Sequence, residues 1–187
     1  MNINTNTTVS RHFSSEVDRA RLDMSDVECS GQRQTLAKGQ DLFAEGAPAN
    51  FFYRILYGSV GSSKLLSDAR RQIDSFHLAG EIFGYECGEV HGVTATTLED
   101  TKVVVFPRSC FRDLMQGDPA LAEQLVSAMS ANLQRARDLM LLLARKTPQE
   151  KLAMFLLDLA ARLKNTKRIT LPMYRADIAD HLGLTKE

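Results

Sequence analysis

RADIADHLGLTKE, Arg175 to Glu187, is the stretch on which the fold turns. Its apolar positions are Ile178, Ala179, Leu182 and Leu184. The first three recur at helical spacing, and Gly183 interrupts them. Thr185 is a helix-capping residue type. The pattern predicts a helix ending at Leu182, a glycine turn, and a second helix starting within LTKE. Ala179 is small where two helices must cross closely. Gly183 supplies a turn that sends the second helix off at a steep angle. In a helix-turn-helix, the second helix lies in the major groove and presents its first residues to base edges. Glu187 would then accept from cytosine N4, and Lys186 would reach guanine or phosphate. Arg175, at the start of the supporting helix, would lie near the DNA backbone. The pattern alone fits a plain helical hairpin as well.

The preceding residues narrow the choice. Thr147-Pro148 places a capping residue before a proline suited to the first helical position. TPQEKLAMFLLDLAARL predicts a helix running to about Lys164. NTKR then reads as a turn, ITLP as a short strand, and a further helix begins near Tyr174. Helix, short strand, helix, glycine turn and new helix is the order of a winged helix-turn-helix.

Upstream of this segment, Asp118 can cap and Pro119 can open another helix. No Gly or Pro occurs from there to Ala144. Ala122, Val126, Met129, Leu133, Ala136, Met140 and Leu143 alternate by four and three, the spacing of a coiled-coil seam. A second stripe runs through Leu121, Leu125, Ala128, Leu139 and Leu142, interrupted by Asn132 and Arg135. A helix with two apolar faces needs two surfaces to cover them. The expectation is one face on its own β domain and the other on a second copy; the alternative is a helix buried inside one large domain.

Ten of the eleven glycines fall between Gly31 and Gly117. FFYRILYGSVGSSKLL, RRQIDSFHLAGEIFGYECG and TATTLEDTKVVVF are short β-branched and aromatic runs with turn signals between them. They predict an all-β roll or barrel. Gly39, Gly46, Gly58, Gly80 and Gly84 stand at the predicted turns.

The chain has 187 residues and no formal net charge. From Arg145 onward nine Lys/Arg face five Asp/Glu, so the tail carries +4 and the remainder −4. A basic tail on an acidic body suits a phosphate-facing segment, although solvated helix charges give the same count. MNINTNTTVS has no apolar run and reads as a disordered arm, not a secretory signal. No stretch approaches eighteen apolar residues, so no membrane partner is expected. Cys29, Cys87 and Cys110 are odd in number and widely spaced, which fits a reducing cytoplasm better than a disulfide framework. No G-x-S-x-G elbow, P-loop or H-E-x-x-H occurs, and no enzyme is expected.

The order of parts resembles the Crp–Fnr family of bacterial transcription regulators over about Gln32 to Glu187. KGQDLFAEGAPANFFYRILYGSV is similar to the family's opening strands. FHLAGEIFG is similar to the loop before its effector pocket. VVVFPRSCFRDLMQGDPALAEQL is similar to its last strand and the start of its dimer helix, and LPMYRADIADHLGLTKE to the first two-thirds of its reading head.

The resemblance implies an α+β chain in four parts. They are an N-terminal arm (1–30), a cyclic-nucleotide-binding-type β-roll (31–117), a dimerisation helix (118–145) and an incomplete winged helix-turn-helix (146–187). It implies a homodimer, through Val126, Met129, Leu133, Ala136, Met140 and Leu143, on a two-fold symmetric double-stranded DNA site. Arg175, Thr185, Lys186 and Glu187 would face that DNA, and RNA polymerase would be a partner. The alternative is a dimerisation or sensor module that cannot bind DNA alone and forms inactive mixed dimers. That alternative rests on the recognition helix being cut short after Glu187.

Effector branches of the family differ in their ligand residues. Cyclic-nucleotide binders use a glutamate after the loop glycine for the ribose and an Arg-Ser pair for the cyclic phosphate. Here Glu81 follows Gly80, but the Arg-Ser positions fall on His91 and Gly92. Glu81 is expected to serve the turn instead. The iron–sulfur branch needs three clustered N-terminal cysteines and one in the last strand. This chain has only Cys29 near its N-terminus and Val104 at the strand position. His77 or Cys87 could ligate haem iron, but a lone His or Cys is ordinarily structural. The expectation is therefore no cofactor and no metal. The remaining resemblance is to the FixK-like branch, to which SDARRQIDSFHLAGEIFG is close. Lys186 departs from the apolar residue usual between Thr and Glu in that branch.

Overall fold

The computed structural model describes residues 31–111, 116, 119–163 and 168–185. Among these residues eight strands precede three helices: β1 (Gln32–Leu36), β2 (Asp41–Phe43), β3 (Phe51–Tyr57), β4 (Ser59–Leu65), β5 (Arg71–Leu78), β6 (Ile82–Phe83), β7 (Thr94–Thr97), β8 (Thr101–Pro107), α1 (Pro119–Arg145), α2 (Pro148–Arg162) and α3 (Arg175–Leu182). The strands form two four-stranded antiparallel sheets, ordered β1-β8-β3-β6 and β2-β7-β4-β5. All five predicted turn glycines have positive φ. At Gly58 a side chain would also collide, because a Cβ would stand 2.5 Å from the Thr101 hydroxyl.

Successive strand residues point to opposite faces, and β3 uses both. Tyr53 and Ile55 point between the sheets with Leu36, Phe43, Val60, Phe83, Ala95 and Val103. Phe52 points the other way and meets Leu125 of α1, with Phe106 and Phe111 beside it. One strand thus closes the roll and seats the long helix. Each large side chain buried this way contributes about 1.5–3 kcal/mol.

β5 turns on a bulge. Ser62 pairs with Ser75 and Ser63 with Ile73, so Asp74 is the extra residue. An extra residue reverses the side-chain alternation beyond it. Phe76 and Leu78 point away from the roll, and the bulge sends Ile73 to the same side. These three join Leu142 of α1, Phe155 and Leu159 of α2, and Met173, Ile178 and Leu182. His77, between them, points into the roll and stacks on Phe83.

α2 opens on a capping box. Thr147 N–H donates to Glu150 Oε2 at 2.8 Å, and Glu150 N–H donates to Thr147 Oγ1 at 3.4 Å. Two expectations differ from the structure. Ile169 packs against the core, but Ile169–Pro172 forms no strand. The segment has no partner strand among the described residues, and an unpaired extended segment is not a strand. Cys110 is buried and disulfide-bonded, against the expectation of unbridged cysteines. Its partner lies outside the described residues, while Cys87 is free and exposed. The N-terminal arm (1–30) and the cap at Asp118 also lie outside the described residues.

Candidate nucleic-acid interface

α3 is fixed at both ends. Asp177 turns back to accept the Tyr174 N–H at 2.9 Å. At the other end Gly183 adopts φ 61, ψ 41, and the Leu184 N–H reaches the Ala179 carbonyl at 2.9 Å. That bond, spanning five residues around a left-handed glycine, closes a Schellman turn. Lys151 of α2 adds a cation at this end, 3.4 Å from the Leu182 carbonyl. Ile178, Ala179 and Leu182 are buried, whereas Arg175 and Thr185 are exposed. The helix stops there, and Leu184 packs against the core shared with α2. Leu184 and Thr185 are not helical. Lys186 and Glu187, where the second helix and its base-reading residues were expected, lie outside the described residues.

From Leu125 onward α1 carries its two stripes as two environments; the side chains of Leu121 and Ala122 lie outside the described residues. Leu125 and Leu142 are buried and Leu139 is partly so. Asn132 and Arg135, which interrupt that stripe, face the roll: Asn132 donates to the Ile82 carbonyl, and Arg135 approaches Glu81. The buried face thus covers both the roll and the helical segment after Thr147. On the other side Val126, Met129, Leu133 and Met140 are 40–63% exposed, and Ala136 is exposed with them. Leu143 differs: it is half-buried and lies beside Gly183.

The effector-pocket positions are each engaged within the chain. His91 is 2% exposed, stacks on Phe43 with ring centroids 3.6 Å apart, and has its pKa lowered by burial. A neutral, stacked ring cannot replace a guanidinium on a phosphate. Gly92 offers only backbone, and its N–H donates to Glu86. Glu81 is engaged elsewhere. It receives Arg162 Nε at 3.0 Å on one oxygen and Arg162 Nη2 at 2.9 Å on the other, and it also accepts the Leu78 N–H. Burial pushes its pKa up, but the Arg162 guanidinium outweighs that and holds the carboxyl below its ordinary value. Phe43, Tyr53 and Phe83 fill the space between the sheets. His77 shares its Nε2 between the Ser62 and Ser75 hydroxyls. A cleft of about 180 Å³ lies elsewhere, where Lys38, Ser63, Arg71 and Thr96 meet Tyr174 and Asp177. That is below the roughly 300–1,000 Å³ usual for ligand sites. Among the described residues no group of three or more His, Cys, Asp or Glu could hold a metal, and no helix is long and apolar enough to cross a membrane.

Sequence reasoning missed the groups that join α2 and α3 to the roll: Arg71, Arg162, Asp177, Asp180 and His181. One signal was present. Asp177 and Asp180 are three apart on one helix face within a basic tail, a like-charge pair that calls for a cation opposite.

A roll of this topology, a long helix with one bare apolar face, and a glycine-turned helical head define a class: DNA-binding transcription regulators built on a cyclic-nucleotide-type domain. The comparisons agree part by part. The cyclic nucleotide-binding domain matches residues 33–118, and the Crp-like helix-turn-helix domain matches residues 150–187. The nitrogen fixation regulation protein FixK of Azorhizobium caulinodans is 40% identical over 86% of this chain and 67% of its own. FixK of Rhizobium meliloti is 36% identical over 82% and 69%. The solved structure of FixK2 from Bradyrhizobium japonicum is 40% identical, with a TM-score of 0.77 over 83% of this chain and 79% of that one. The chain belongs to the Crp–Fnr family of transcription regulators, in its FixK-like branch. It is a DNA-binding regulator and not an enzyme.

Proposed function

We propose that this regulator acts in the cytoplasm as a homodimer on a two-fold symmetric duplex, without a cyclic nucleotide, metal or other cofactor. The observation that carries this is the bare stripe of Val126, Met129, Leu133, Ala136 and Met140 on α1. Its repeat of four and three is what a second copy of the same helix covers. A two-fold dimer presents two heads, and two heads read a palindrome. Arg175 sits at the DNA backbone, and Thr185, Lys186 and Glu187 approach base edges. On DNA the dimer recruits or excludes RNA polymerase.

Selection of bound duplexes from a random library, with sedimentation of the free protein, tests this. The expected outcome is a dimer that retains two-fold symmetric sites, with affinity falling steeply as salt rises. Leu133→Lys with Met140→Glu should give a monomer that loses those sites. A monomeric parent, or retained sites without symmetry, overturns the proposal. A dimer that holds no duplex even at low salt supports an interaction module instead.

A further inference from the structure

The glutamate that resemblance assigns to a ribose is already held by an arginine from another part of the chain. Arg162 stands at the end of α2, and its side chain is 13% exposed. It spans both Glu81 oxygens and also donates to the Phe76 carbonyl. Asp158, one turn back on α2, takes its remaining arm at 3.3 Å. Arg135 of α1 approaches the same carboxylate at 4.0 Å. Three elements thus converge on Glu81: the roll, the long helix and the segment leading to the reading head.

A second contact crosses the same boundary in the opposite sense. Arg71, on the roll, reaches two carboxylates on α3. It donates to Asp177, and to Asp180 with Nε at 3.1 Å and Nη2 at 2.9 Å. The Gln72 amide donates to the His181 carbonyl at 3.2 Å, and His181 Nδ1 meets the Ile73 carbonyl at 3.0 Å. The His181 ring lies within 6 Å of both Phe76 and Phe155.

We propose that Glu81 is an interdomain positioning residue. With Arg162 on one side, and Arg71 on Asp177 and Asp180 on the other, it forms a double clamp that sets the angle of the reading head on the roll. A bidentate guanidinium–carboxylate pair fixes direction as well as distance. Two pairs with opposite polarity, one on α2 and one on α3, prevent the head from pivoting about either. The pocket carboxylate has become part of the frame.

Amide hydrogen exchange on the whole chain tests the clamp. Glu81→Gln keeps the shape and loses the charge, and Arg71→Ala removes the second pair. Each should speed exchange in residues 175–182 by about tenfold or more, with β1 and β8 unchanged. Arg71→Asp combined with Asp180→Arg should return exchange toward the parent rate, which a merely structural loss would not do. Unchanged exchange in 175–182 for both single variants overturns the proposal. So does calorimetric binding of cyclic AMP or cyclic GMP that Glu81→Gln abolishes, because Glu81 would then serve a ligand. The clamp's part in DNA reading rests on the function proposed above. The exchange measurement does not, so a parent that binds no duplex overturns that function and leaves the clamp to the exchange data.

Discussion

His77 shows how one residue ties sequence to stability. The alternation of β5 between Phe76 and Leu78 turns its ring inward, where it stacks on Phe83 and its Nδ1 has no hydrogen-bond partner. Burial is the main cause that lowers its pKa from 6.5 to about 4. The folded state therefore favours the neutral ring, while the unfolded chain takes up a proton near 6.5. Stability is full above pH 6.5 and is lost as pH falls toward 4, by about 3 kcal/mol across the whole window. His91 and His181 are lowered by burial and act in the same direction. The Glu81 carboxyl is also lowered, so its contribution disappears only below its ordinary value, at the acid end. Urea midpoints should fall steadily as pH drops from 6.5 to 5, and His77→Gln should shallow that slope. A parent midpoint that stays flat over this range would contradict the assignment. At this scale the sequence was least legible. Nothing local marks His77 as inward, because its apolar neighbours Phe76 and Leu78 are the ones that face the helices. Arg71 and Asp177 are 106 residues apart, and Arg162 and Glu81 are 81 apart. Pairings of that separation leave no local pattern.

Among the elements, β5 decides how the parts meet. Deleting Asp74 would restore regular pairing with β4 and turn Ile73 and Arg71 to the roll side. The head would lose one apolar contact and one clamp together, while Phe76 and Leu78 kept theirs. Limited proteolysis should then cut between Arg162 and Arg175 faster than in the parent, with the strands still protected. Equal cutting rates would mean that the bulge has no role in seating the head. The elements themselves were largely legible. α1 announces itself by a long run without Gly or Pro, α2 by its Thr-Pro start, and the roll by turn glycines between β-branched runs. The strand expected at ITLP did not form, because strand propensity is satisfied only by a neighbour to pair with. Strand order was not legible either. Placing β8 between β1 and β3 requires contacts across most of the roll.

At the scale of the molecule, the described residues form three cores, and the one that spans its parts draws on β5, α1, α2 and α3 at once. Leu159, fully buried on α2, touches the same cluster as Ile73 on the roll. Roll and head should therefore unfold in one transition, followed alike by near-ultraviolet dichroism and by exchange in 175–182. Two resolved transitions would show that the shared core holds them only loosely. The same sharing bears on exchange of parts between relatives. Thr147 looks like a boundary along the chain, yet the apolar floor beneath α2 and α3 is supplied by β5. A head cut at Thr147 and grafted onto another regulator's roll would arrive without its floor. A swap that keeps specificity should carry residues 71–78 along with the head, so the transferable unit is discontinuous in sequence.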